Sequence, residues 1–390
     1  MKENFVKIGI VGVGNIGSAH AAAIYGARVP GMKLCALCDV SRKRREQIAA
    51  LYPDIPVFAD ADVLLASGLC EAVIVATPHG SHPVIAEKAF AAGLHVLTEK
   101  PAGVTCESVR HLMQTARQSG KAFGVMFNQR TNRLFGIARS LVSSGTLGEC
   151  KRMVWIITNW YRKQCYYDSG GWRATWSGEG GGVLLNQAPH NLDLWQWICG
   201  MPQSVRAVCE EGKYHRIEVE DEATILARYA NGMTAVFMTS TGDYPGTNRL
   251  EITGTKGKLV IENGKLVHTS LAIDEREFRL MAVTAVNPLT VTEYADEPYN
   301  GHIRILENFS AHILSGTPLI APGYDAVNEL TLSNAAYLSA WTGEEITLPM
   351  DDARFADMLA RRAAGSDPTA KAHERESVQL DYKDRWNTTW

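Results

Sequence analysis

Gly12-Val13-Gly14-Asn15-Ile16-Gly17 constrains this chain more than any other stretch of its sequence. The run follows directly on an aliphatic, β-branched segment, Lys7–Val13, and leads into an Ala-rich helical pattern over Asn15–Arg28. Each glycine at this spacing has its own task. Gly12 makes a tight turn, Gly14 lets the backbone approach a ligand, and Gly17 lets the helix pack closely on the strand. The helix start offers free N–H groups and a positive dipole end to a pyrophosphate. Asp39 completes the pattern, 22 residues beyond Gly17 at the end of the next strand, Lys33–Asp39. Its carboxylate is suited to accept hydrogen bonds from adenine ribose hydroxyls. The expected cofactor is therefore NAD. NADP is the weaker alternative, because Asp39 repels a 2′-phosphate although Arg42, Lys43 and Arg44 follow it.

The alternation of strand and helix patterns continues. A helix over Ser41–Leu51 opens on a serine cap, and Ala72–Ala76 is an unbroken apolar run, as a strand covered on both faces requires. His82–Ala92, His95–Thr98, Thr105–Ser119 and Ala122–Phe127 extend the rhythm to a parallel, doubly wound sheet, and helix Leu134–Ser143 leads out of it. From Glu149 the pattern changes. Runs such as EATILARYA, MTAVFMTST and GKLVIENGKLVH, joined by Asn-Gly and Lys-Gly turns, predict a mostly antiparallel sheet. Helices are expected over Pro189–Cys199, His302–Leu314 and Ala326–Trp341. The predicted fold class is α/β: an N-terminal Rossmann domain (1–125), an α+β domain with a large open sheet for substrate binding and oligomerisation (126–350), and a C-terminal extension (351–390).

Bulk properties exclude several functions. A net charge of −3 gives no field to recruit nucleic acid or an anionic membrane, and no apolar run has the length of a membrane helix. The first residues run into a strand without a signal-type apolar region, so the expected location is the cytoplasm. The eight cysteines are scattered, and Cys35-x-x-Cys38 lies on a predicted buried strand. They read as packed core thiols, with no metal site expected.

GVGNIG, ATPHGSHP, TEKP and GGGVLLNQAPHNLDL, in that order, resemble the glucose-fructose oxidoreductase/inositol dehydrogenase/MocA (Gfo/Idh/MocA) family, over nearly the whole chain to about Pro349. The resemblance implies that Lys100, from the family's E-K-P, is the base beside the nicotinamide. Chemistry points the same way, since removing hydride from a carbinol carbon requires the hydroxyl proton to leave. A partly desolvated lysine past a parallel strand's carboxyl end is poised to take it. The family pattern G-G-G-x-x-x-D-x-x-x-H falls on Gly180-Gly181-Gly182, Asn186 and His190. His190 matches and is expected to share the proton handling. Asn186 replaces the acid and can bind hydroxyls or orient His190, but an amide relays no proton. Expected cofactor contacts are Gly12, Gly14, Asn15, Ile16, Asp39, Thr77, Pro78, His79, Glu99, Lys100 and Asn128. His82 is expected to cap or pack the following helix.

Between Asn159 and Trp176, aromatics alternate with Asn, Arg and Asp. Aromatic faces suit the C–H face of a pyranose or cyclitol while polar groups take its hydroxyls. Tyr161, Arg162, Trp172 and Arg173 are the expected substrate contacts, alongside Asn186. The expected activity is NAD(H)-dependent oxidation or reduction at a secondary hydroxyl or ketone of a sugar, glycoside or inositol, with the pyranose 3-position favoured. Two alternatives stay open: a redox-neutral glycosidase working by transient oxidation and elimination, and a non-catalytic dinucleotide or sugar sensor. A homodimer or homotetramer is expected, since helices covering one face of the second sheet leave the other for a partner subunit.

Overall fold

β1 (Val6–Val11) ends against Gly12, and α1 (Asn15–Tyr25) begins behind Gly14. In the computed structural model, which describes residues 5–169 and 171–366, the alternation continues as the sequence pattern predicts. It runs through β2 (Met32–Cys38), α2 (Arg42–Leu51), β3 (Val57–Phe58), α3 (Ala61–Ala66), β4 (Ala72–Val75), α4 (His82–Ala91), β5 (His95–Thr98), α5 (Cys106–Ser119) and β6 (Phe123–Val125). Side chains stop the free helix ends: Ser41 Oγ accepts from Arg44 N, and Thr105 Oγ1 from Ser108 N. The six strands pair in parallel in the order β3-β2-β1-β4-β5-β6. The order reverses between β1 and β4, and ligands of such sheets bind at the carboxyl ends beside that reversal. Ile8, Ile10, Val73, Ile74, Val96 and Leu97 are buried, as strands covered on both faces must be.

The second sheet follows α6 (Arg133–Ser143). It comprises β7 (Cys150–Ile157), β8 (Ser204–Glu211), β9 (Glu220–Arg228), β10 (Thr234–Ser240), β11 (Asn248–Gly254), β12 (Gly257–Glu262), β13 (Lys265–Leu271), β14 (Leu289–Ala295) and β15 (Ile346–Thr347). Their order is β14-β13-β12-β11-β7-β10-β9-β8-β15, antiparallel except where β7 and β10 pair in parallel. Asn263 and Gly264, at φ 51° and 70°, form the Asn-Gly turn between β12 and β13. Helices α7 (Gln164–Asp168), α8 (Val183–Asn186) and α9 (Pro189–Cys199) lie between β7 and β8, and α10 (Glu275–Phe278) precedes β14. Trp195 of α9 stacks on Phe237 of β10 with ring centroids 5.8 Å apart, and Trp155 packs edge-on to Phe237 at 6.1 Å. The chain closes with α11 (Gly301–Ser315), α12 (Ala326–Thr342) and α13 (Asp352–Ala364).

Contacts divide the chain into two units differently from the expected boundaries. One unit takes the residues up to Thr131 with Asn300–Leu330; the other takes Asn132–Tyr299 and the described residues from Thr331. The return of 300–330 to the first unit has a local cause: Val125 N donates to Ala321 O at 3.1 Å, and Gly124 bridges Pro322. The segment expected as a C-terminal extension begins with α13, capped by Asp351; its remainder, 367–390, lies outside the described residues. All eight cysteines are free; Cys38, Cys70 and Cys106 are buried, and burial also raises the half-buried Cys199 and Cys209 thiols, so the core reading fits these five. No described helix is long and apolar enough to cross a membrane.

Candidate active site

The first unit carries a dinucleotide cradle. Gly12 has φ +89°, and a Cβ there would stand 2.6 Å from Ala76 O, so both conformation and space demand glycine. A Cβ on Gly17 would collide with the Gly12 carbonyl, which is the close helix–strand approach the motif requires. At Gly14, by contrast, a Cβ would meet nothing within 4 Å, and α1 has no side-chain cap. That leaves room and unsatisfied N–H groups for a pyrophosphate, with Asn15 and Ile16 half-buried at the helix start. Asp39 Oδ2 accepts from Val13 N at 2.9 Å and Oδ1 from Ser41 N at 2.8 Å, fixing the carboxylate at the end of β2. Arg44 Nε donates to Val13 O at 2.7 Å, whereas Arg42 pairs with Glu46 in solvent.

Thr77, Pro78 and His79 follow β4, Glu99 and Lys100 follow β5, and Asn128 follows β6, all at carboxyl ends of the parallel sheet. His82 does more than pack its helix. Its Nδ1 lies 2.7 Å from Pro101 O and its Nε2 2.6 Å from Thr77 O, so it ties the segment after β4 to the segment carrying Lys100. Burial pushes the His82 imidazole down, against these two backbone contacts. Behind Lys100 is a buried polar group that sequence reasoning did not assemble. Glu99 Oε1 meets His20 Nε2 at 2.7 Å, Lys100 N donates to Glu99 Oε2 at 3.3 Å, and Asn128 Nδ2 lies 3.3 Å from His302 Nδ1. Burial raises the Glu99 carboxyl, but the His20 hydrogen bond and charge, with His302 and Lys100, outweigh it and hold Glu99 below the usual range. Burial, with His20 beside it, pushes His302 down to about 4. Asn128 Oδ1 is buried without a partner among the described residues. The open space at Gly14, the fixed Asp39 carboxylate and this waiting acceptor fit NAD.

The second unit gathers polar and aromatic side chains around Tyr166. Gly180 has φ +82°, and a Cβ on Gly181 or Gly182 would collide with Tyr337 Oη or Glu220 O respectively. The glycines thus press against β9 and α12 and feed directly into α8, which ends at Asn186. His190 is buried in the first turn of α9. Around Tyr166 Oη a network closes: Arg173 Nη1 donates to it at 2.9 Å, Gln187 Nε2 at 3.2 Å, and Asn186 Oδ1 lies 3.5 Å away. The Arg173 guanidinium also stands 4.5 Å from the Trp172 ring centroid. Arg162 is buried, with its guanidinium 5.2 Å from the Tyr166 ring. Tyr161 is 41% exposed and packs on Tyr244, so it is the expected contact that this network does not include. Two further groups escaped sequence reasoning. His215 bridges Asp221 Oδ2 and Arg162 O, at 2.9 and 2.8 Å, and Glu179 contacts Asn186. Neither has a motif around it.

Comparisons with known proteins find relatives along both units. Residues 6–127 match the model of an oxidoreductase family with an NAD-binding Rossmann fold, and residues 135–260 match the GFO/IDH/MocA C-terminal domain. The chain is 26% identical to an inositol 2-dehydrogenase of Rhizobium meliloti, over 88% of this chain and 99% of that one. It is 25% identical to a D-glucoside 3-dehydrogenase of Escherichia coli, over 89% of this chain and 99% of that one. Among solved structures, the WlbA dehydrogenase of Bordetella pertussis, in complex with NADH and UDP-GlcNAcA, superposes with a TM-score of 0.75 at 26% identity, covering 89% of this chain and all of the other.

Proposed function

Because the chain belongs to the Gfo/Idh/MocA family of NAD-binding oxidoreductases, we propose that it oxidises a secondary ring hydroxyl of a glycoside, at the pyranose 3-position, or reduces the matching ketone. The observation that carries this reading is the network at Tyr166 Oη. Arg173, Gln187 and Asn186 converge there beside the Trp172 face, offering donors, an acceptor and an apolar surface within one unit. Such a mixture suits a polyhydroxylated ring. The glucoside 3-dehydrogenase and inositol 2-dehydrogenase relatives support the substrate class.

NAD held at Gly12, Gly14 and Asp39 supplies the hydride acceptor. Lys100 Nζ takes the proton of the hydroxyl being oxidised, and His190 shares that duty. Asn186 binds and orients hydroxyls and takes no part in proton transfer, since an amide neither ionises nor becomes protonated at working pH.

A second copy of the chain covers the outer face of the nine-stranded sheet in this reading. Cross-strand register places Leu226, Val236 and Val154 in one row, and Val208, Thr224, Met238 and Ile156 in the next. Val208, Leu226 and Met238 are 58, 43 and 38% exposed, an apolar patch that a partner would remove from water. Light scattering of the purified protein is expected to give a multiple of the chain mass; a monomer at micromolar concentration refutes this.

The activity test is NADH appearance at 340 nm with a panel of methyl glucosides, free hexoses and inositols. Turnover confined to glucosides is the expected result. Turnover of inositol alone overturns the glycoside assignment, and silence across the panel despite NAD binding favours the redox-neutral or sensing alternatives.

A further inference from the structure

The resemblance places a carboxylate at position 186, where this chain has asparagine, yet a carboxylate is present against that side chain. Glu179, from the loop before the three glycines, has a side chain only 2% exposed. Its Oε1 accepts from Asn186 Nδ2, its Oε2 accepts from Ala174 N at 2.6 Å, and Arg173 Nη1 lies 3.9 Å from Oε1. We propose that Glu179 is a positioning residue of the sugar site: it supplies the negative charge that position 186 lacks and fixes the Asn186 amide and the Arg173 guanidinium for hydroxyl binding. This inference rests on the sugar reading above.

Hydrogen-bond polarity fixes the arrangement. An ionised carboxylate only accepts, so Asn186 must turn Nδ2 toward Glu179 and Oδ1 the other way. Oδ1 then faces Tyr166 Oη, as observed. Without the carboxylate, Nδ2 loses its charged acceptor and the orientation that turns Oδ1 to Tyr166 Oη is held less firmly. The second oxygen restrains the loop that bears Trp172 and Arg173. Ala174 is wholly buried with φ +54°, a left-handed conformation that an alanine holds only under external restraint, and its N–H is the group Glu179 grips. Glu179 therefore acts on both sides of the network at once. The fixed charge has no role as a proton carrier, and that duty stays with Lys100 and His190.

The test is a swap of charge and amide. In Glu179→Gln, one amide cannot accept from both Asn186 Nδ2 and Ala174 N. KM for methyl β-D-glucopyranoside or myo-inositol is expected to rise roughly 10- to 100-fold, the scale of a buried hydrogen bond to a charged group, with kcat and NAD affinity nearly unchanged. Asn186→Asp sets two carboxylates face to face and is expected to raise KM most at high pH, where both are ionised. The double variant restores the two hydrogen bonds with one of them reversed, and moves the charge to position 186: the amide introduced at position 179 donates to the carboxylate introduced at position 186, and its oxygen accepts from Ala174 N. The KM of the double variant is expected to return to within about fivefold of the unaltered enzyme, since the coupling of the pair is then regained. That rescue excludes misfolding as the cause of the single defects. A Glu179→Gln enzyme with unaltered KM, or a double variant no better than the worse single, overturns the assignment while leaving the sugar reading intact. An unaltered enzyme that turns over neither sugar overturns that reading and the assignment with it.

Discussion

Alanine in place of Lys100 is expected to slow NADH formation by about 10²- to 10⁴-fold while leaving NAD binding intact, the scale of losing a positioned general base. The two effects separate because different parts of the first unit carry them. In the proposed reading the turn after β1 and Asp39 hold NAD, whereas Lys100 follows β5 with its backbone N–H on Glu99 Oε2. That backbone contact survives truncation of the side chain, and the Glu99–His20 pair at 2.7 Å is untouched. Lys100→Arg sharpens the test. Arginine keeps the positive charge but does not deprotonate, so its rate is expected to stay near that of the alanine variant. Initial rates at saturating NAD, with NAD affinity from fluorescence quenching, measure both. An arginine enzyme with near-normal turnover means that Lys100 acts only through its charge, and an alanine enzyme within tenfold of normal means that the base lies elsewhere.

The parts of this molecule that sequence reveals are those in which one residue type is forced by local geometry. Gly12 and Gly17 are legible because a Cβ at either would strike backbone, and Asp39 because it ends the next strand at a fixed distance along the chain. Strand His95–Thr98 and helix Pro189–Cys199 fall where their apolar pattern predicts. β3 escapes such a reading because two residues, Val57 and Phe58, carry no period. The parallel pairing of β7 with β10 and the return of Asn300–Leu330 to the first unit are long-range choices, invisible to any local window. α13 does carry a local signal that the expectation of a C-terminal extension leaves unread, since Asp351 caps it and Phe355 and Leu359 sit one turn apart on its buried side. On the site side, Lys100 and His190 stand out through motifs. Glu179, His215 and the Glu99–His20–His302 group do not, because a single acid or histidine acquires meaning only from what it touches.

Glutamine in place of Glu220 is expected to destabilise the protein by about 3 kcal/mol, although it changes the side chain by one atom. Glu220 is wholly buried at the start of β9. Its Oε2 accepts from Gly182 N at 2.9 Å; its Oε1 accepts from Leu184 N at 2.9 Å and from Tyr337 Oη at 2.7 Å. A glutamine places its NH₂ against one of the two backbone N–H groups in either orientation. The Gly182 N–H cannot turn away, because Gly182 is pressed on the Glu220 carbonyl. A protonated glutamate avoids this conflict, since a hydroxyl oxygen still accepts. Burial pushes the Glu220 carboxyl up to about 8, with the Leu184, Tyr337 and Gly182 hydrogen bonds pulling it back. A carboxyl held above its unfolded value contributes stability that is complete below the unfolded pKa and is lost as pH rises through the folded one. The unaltered protein is therefore expected to lose stability from this group between about pH 4.5 and 8, a slope that Glu220→Gln abolishes. The deficit of the variant should be widest near pH 5 and vanish or reverse toward pH 9, as read by urea unfolding at several pH values. A constant deficit would mean that the hydrogen bonds overcome burial and keep Glu220 ionised throughout; no deficit at any pH would mean that the glycine segment is held by its own packing. Since that segment leads straight into Asn186 and His190, the same substitution is expected to reduce turnover wherever it reduces stability.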